Sequence, residues 1–193
     1  VYIPKLYDIS YVAGFVLGGL RKGGVVMSIH PMEAGELPVN PLDLMEEIVS
    51  SNEWPFDRPS DRELVVEFSG QWCDYRLYFG WAEEISAMQF SCAYDMKVPE
   101  AKTTEVRVLL SLVNERIWVG HFGLSSESRL LSFRHGVLLR GVRGASVEQL
   151  EDLVDIALSE SERFYPAFQL VIWGGRTPLQ AIEAALLVTV GEA

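Results

Sequence analysis

From Trp54 to Tyr94 the apolar residues recur at every second position, and this feature restricts the middle of the chain to half-buried strands. Val66 and Phe68 alternate with Val65 and Glu67. Tyr75, Leu77 and Phe79 alternate with Arg76 and Tyr78, and Met88, Phe90, Cys92 and Tyr94 with Gln89, Ser91 and Ala93. Successive side chains of a strand point to opposite faces, so each run offers one apolar face to a core. Turn chemistry at Arg58-Pro59-Ser60-Asp61, at Ser69-Gly70 and from Gly80 to Glu84 separates the runs, which predicts three antiparallel strands in a meander.

Helical spacing brackets this block. Asn40 can cap free amides and Pro41 fits a first helical position, so Leu42, Met45, Ile48 and Val49 predict a helix over about 41–52. After Pro99, the stripe Val106, Leu109, Leu110, Val113 and Ile117 predicts a second helix. Two strands are expected at about 117–124 and 129–140. Ser146 with Gln149 forms a capping box for a long helix whose stripe runs from Leu150 through Val154 and Phe164 to Phe168, with Pro166 expected to kink it. Gly174-Gly175 ends that helix, and Thr177-Pro178-Leu179-Gln180 starts a last one reaching about Val190. The expected fold class is α+β: a mainly antiparallel sheet of β-β-β-α-β-β order with helices packed on one face.

A chain of 193 residues suits one domain, and 49% hydrophobic with 22% charged residues is the composition of a globular protein. The net charge of -11 opposes binding to phosphate backbones, so no nucleic-acid partner is expected. It suits solubility in the cytoplasm or attraction to basic partner segments. Cys73 and Cys92 have neither zinc-ribbon nor CxxC spacing and are expected to be buried, reduced thiols.

Residues 1–26 differ from the rest. They hold Lys5, Arg21 and Lys22 against Asp8, a net charge of +2, which leaves -13 on residues 27–193. The apolar, Gly-rich run from Ile9 to Leu20 is too short to span a bilayer as a helix, and its flanking charges suit a signal peptide poorly. Residues 1–39 are expected to be an N-terminal extension or a mis-assigned start, with Met27 as an alternative start and a membrane-associating arm as the rival reading. Residues 40–193 are expected to form the domain.

No phosphate loop, dinucleotide fingerprint, nucleophile elbow or HExxH motif occurs, so neither a cofactor nor a catalytic set is expected. His121 and His135 lie on consecutive strands and could approach across a hairpin. A zinc site would still need two more ligands, with Cys73 and Cys92 converging from elsewhere. The simpler reading is two hydrogen-bonded strand histidines.

Aromatic residues carry more information. Trp54, Trp72, Tyr75, Tyr78, Phe79 and Trp81 crowd one hairpin region, while Trp118 and Phe122 are expected on one face of a later strand. Core packing accounts for part of this set, and the surplus suits a partner or dimer surface, where Tyr and Trp are enriched. The candidate surface comprises Trp72, Tyr75, Tyr78, Trp81, Trp118, His121, Phe122, Arg134 and His135.

Three segments, LLSLVNERIWVGHF (109–122), LLSFRHGVLLRG (130–141) and FYPAFQLVIWGG (164–175), closely resemble the YbjN family of bacterial proteins, labelled sensory transduction regulators. The resemblance spans about residues 40–190. Asn114, Trp118, His121, Phe122, Phe133, Arg134, His135, Arg140, Tyr165, Pro166, Trp173 and Gly174 occupy family-like positions. It implies a fold similar to the small acidic chaperones of type III secretion, and it carries over no catalytic residue. The expected function is that of a non-enzymatic chaperone-like or regulatory adaptor: a homodimer, without a membrane span, that binds a protein partner. The alternatives are a small-ligand sensor, whose signature would be a closed cavity lined by Trp and Tyr, and an enzyme centred on His121 and His135.

Overall fold

The structure, a computed structural model, describes residues 39–190, with side chains through residue 186. The expectations for residues 1–26, for Met27 and for the extension up to Pro38 lie outside the described residues. Among the described residues four α-helices and six strands follow in the order α1 (Pro41–Ser51), β1 (Phe56–Ser60), β2 (Glu63–Ser69), β3 (Asp74–Ala82), β4 (Ala87–Lys97), α2 (Thr103–Asn114), β5 (His121–Leu124), β6 (Leu130–Leu138), α3 (Val147–Ile172) and α4 (Pro178–Val190). The strands form one antiparallel sheet of order β1-β2-β3-β4-β6-β5. The fold class read from the sequence holds: an α+β protein with its helices on one side of the sheet.

One strand escaped the sequence reading. Phe56–Ser60 pairs with β2 as an edge strand, where a turn at Arg58-Pro59-Ser60-Asp61 was expected. Pro59 lacks a backbone donor, which an edge strand tolerates and a central one does not, and Asp57 and Arg58 discourage a further strand from pairing there. The register shifts between Asp57 and Ser60. The Arg58 guanidinium reaches back to Asp43 and Glu46 on α1, tying this edge to the first helix.

The helix signals were faithful. Asn40 Oδ1 accepts from the Leu42 amide at 3.0 Å with Pro41 next to it. Ser146 and Gln149 exchange both bonds of a capping box, and Thr177 and Gln180 do the same ahead of α4. The long helix continues through Pro166 to Ile172.

The core lies between the helices and one sheet face, which contributes Leu64 and Val66 of β2, Tyr75, Leu77, Phe79 and Trp81 of β3, the even-numbered residues from Met88 to Met96 of β4, and Leu131 and Phe133 of β6. Tyr94 is its hub, packing against Tyr75, Phe122, Tyr165 and Phe168 at centroid distances of 5.5–6.0 Å. A buried hydroxyl must find an acceptor, and Tyr94 donates to the Ser161 carbonyl on α3 at 3.1 Å.

The other sheet edge is closed by a side chain. Asn114, the last residue of α2, donates to the Phe122 carbonyl at 3.0 Å and accepts from the Phe122 amide at 2.7 Å. A carboxamide carries a donor and an acceptor side by side, so it satisfies the outward-facing groups of β5 as a neighbouring strand would. The strand is shorter than expected because residues 118–120 form a bend instead. Gly120 (φ +74°) lies so close to the Phe133 ring that a Cβ there would sit 2.3 Å from it.

Candidate functional site

Among the described residues no helix packs on the opposite sheet face. Registration places one residue from each strand in a row across that face, Asp57, Val65, Tyr78, Ser91, Arg134 and His121 in order. A second row holds Glu67, Arg76, Ala93, Ser132 and Gly123. The centre of this face is made of small, buried residues, Ser91, Ala93 and Ser132, flanked in register by the longer Arg76, Tyr78 and Arg134. Ser91 is buried, and its hydroxyl finds no hydrogen-bond partner among the described residues.

A cleft of about 480 Å³ opens beside these rows at the Ser69–Asp74 end of the β2–β3 hairpin. Trp54, Pro55, Phe68, Tyr75, Tyr78 and Tyr94 supply its aromatic and apolar lining, with Ala93 and Leu130. Its charged lining is Glu67, Asp74, Asp95 and Arg76. Arg76 Nε lies 3.6 Å from Glu67 Oε1, and its guanidinium is held above its ordinary pKa first by a hydrogen bond to Tyr78 and then by charge.

The structure sorts the sequence-predicted surface into three groups. Tyr78, Arg134 and His121 come together on the open face. Trp72 and Trp118 are exposed elsewhere: Trp72 stacks on Tyr165 at 6.0 Å, and Trp118, fully exposed, stands on the bend before β5 and not on a strand beside Phe122. Tyr75, Trp81 and Phe122 are core residues at 1–3% exposure, so the surface of the folded chain does not present them. They share the inward parity of Leu77 and Phe79, or, for Phe122, of its partner Phe133.

The two histidines do not form one centre. His121 pairs with Arg134 on the open face, whereas His135 pairs with Phe90 on the core-facing side. Burial lowers the pKa of both, and the Arg134 charge and then His135 lower that of His121 further. Cys73 is half-buried, contrary to expectation, and Cys92 is fully buried. Burial raises both thiols, Cys92 to about 12, so neither is an activated nucleophile. No group of three or more His, Cys, Asp or Glu among the described residues is arranged to hold a metal. No described helix is long and apolar enough to cross a membrane.

What sequence reasoning missed is the acidic part of the cleft, Glu67, Asp74 and Asp95. The signal was present, because these residues carry the outward parity of strands whose inward parity is unbroken aromatic and aliphatic.

Sheet and helices define a two-layer α+β protein in which, among the described residues, helices cover one sheet face. The chain belongs to the YbjN family, whose description is "Putative bacterial sensory transduction regulator" and whose profile matches residues 41–170. Among solved structures it is similar to YbjN from E. coli, titled "a putative transcription regulator", at 14% identity and a TM-score of 0.46, over 70% of this chain and 91% of that one. No curated protein matches the sequence.

Proposed function

We propose that this member of a regulatory family is a non-enzymatic, cytoplasmic adaptor that acts by binding a protein partner across its open sheet face, as a homodimer. The observation that supports the reading is the one-sided helix packing: the described helices cover one face of a six-stranded sheet, and among the described residues no helix lies over the row through Tyr78, Arg134 and His121. A face of mixed aromatic and charged side chains over a floor of small residues has the composition of partner surfaces, where Tyr and Arg anchor contacts. Separation of His121 from His135, and the raised thiols, leave those residues without an acid–base or nucleophile pair, which supports binding over catalysis.

Both sheet edges favour face-on over edge-on association. Asn114 occupies the β5 edge, and Pro59 with the neighbouring charges interrupts β1. The test is quantitative capture of interacting proteins from the native cell with the wild type, with Tyr78→Glu, and with Glu151→Arg on the exposed side of α3. The reading expects Tyr78→Glu alone to lose the captured protein, and equal capture by all three would overturn it.

A further inference from the structure

Resting on that reading, we infer that the cleft beside the Tyr78 row is a docking groove for an extended, basic segment of the partner, whose Lys or Arg side chains are received by Asp74, Asp95 and Glu67. Three observations carry this. The first is a charge arrangement that does not serve the fold. Tyr75 pairs with Tyr94, so the same register sets Asp74 opposite Asp95 on neighbouring strands, both exposed on the open face. Like charges directly opposite each other weaken a sheet. Among the described residues neither carboxylate lies within ion-pair distance of a cation: Arg76, the one arginine of the cleft, is nearest Glu67 at 3.6 Å and feels the Asp95 charge only at longer range.

The second is the lining. Carboxylates and the aromatic residues Trp54 and Tyr78 meet in one cleft, and this pairing fits a cationic head on an aliphatic stem: the carboxylates take the charge, and the ring faces cover the stem and attract the cation. Tyr75 also lines the cleft, but its ring belongs to the core at 1% exposure, so the wall it supplies is rigid. The third is size and field. A volume of about 480 Å³ accepts a few side chains of a segment and not a folded surface, and a chain of net charge -11 draws such cations toward it.

The experiment measures fluorescence anisotropy of a labelled, unstructured twelve-residue Lys-Ser repeat peptide on the full chain at low salt. Asp74→Asn and Asp95→Asn are tested singly and together. Glu151→Gln with Asp152→Asn on α3 makes the same charge change away from the cleft. The double cleft variant is expected to bind roughly tenfold more weakly, with a shallower salt dependence, while the α3 variant stays within about twofold. A peptide with Gln in place of Lys is expected not to bind. The thermal midpoint of the cleft variants should hold or rise as the like-charge pair is removed, which separates lost affinity from lost folding. Equal weakening by the cleft and α3 pairs, equal binding of the Gln peptide, or no binding of the Lys peptide by the wild type would each overturn the groove. Any of these would leave the wider partner reading standing on the Tyr78→Glu result.

Discussion

Replacing Asn114 by Ala tests whether one side chain closes the β5 edge. The carboxamide makes two bonds to Phe122, at 2.7 and 3.0 Å, and Phe122 is 2% exposed, so its amide and carbonyl would be left with little access to water. Each lost hydrogen bond contributes about 1 kcal/mol net, and each stranded polar group adds a desolvation cost, so the expected loss is about 2–4 kcal/mol. For a domain of this size 3 kcal/mol lowers the midpoint by about 6–12 °C. Urea denaturation gives the energy, and hydrogen exchange at the Phe122 amide locates it, with protection expected to fall at that amide first. Asn114→Asp is a sharper companion. It keeps the acceptor for the amide but sets a carboxylate against the Phe122 carbonyl, so its deficit relative to wild type should shrink at acid pH, where a protonated Asp can donate. A loss under about 0.5 kcal/mol with the Phe122 amide still protected would refute the edge-closing role.

Other outcomes follow from the same geometry. His121 and His135 have depressed pKa values in the folded chain, so protonation favours the unfolded chain. Their contribution is fully present above about pH 6.5 and is lost as the pH falls toward their folded values, and urea midpoints at pH 7.5 and 5 should show a drop that His121→Gln with His135→Gln reduces. An aromatic disulfide reagent should modify Cys73 slowly in the native protein and Cys92 only after unfolding, read as one thiol and then two. Gly120→Ala combines a positive φ with a collision against Phe133 and should cost about 3 kcal/mol, whereas Gly141→Ala, at φ +89° but with open space around it, should cost about 1–2 kcal/mol by chemical denaturation.

Much of the fold was legible because β2, β3 and β4 bury only one face, so their alternation survives in sequence, and because Asn40, Ser146 and Thr177 carry local capping chemistry that needs no tertiary context. β1 was not legible: its stability comes from pairing with β2 and from Arg58 reaching α1, and its own residues read as a turn. The bend at residues 118–120 was hidden for a related reason, since Ile117 and Val119 continue an alternation that the chain abandons to turn at Gly120. Parity alone could have divided the aromatic cluster, because Tyr75, Leu77, Phe79 and Trp81 share one phase and Tyr78 stands in the other. The row from Asp57 to His121 could not have been found this way, since it exists only through the register of five strand pairs. Asn114 was singled out by family resemblance, but its role needed the distance from α2 to β5.

Contact between the partner and the sheet face that carries Tyr78 can be measured in place. A photoactivatable phenylalanine analogue placed at Tyr78, and separately at Glu151 on α3, measures this directly in the native cell. Discrete crosslinked protein species are expected from position 78 and none from position 151, with the position-78 products diminished when Asp74 and Asp95 are both changed to Asn. Crosslinks from position 151 alone, or equally from both, would contradict this contact.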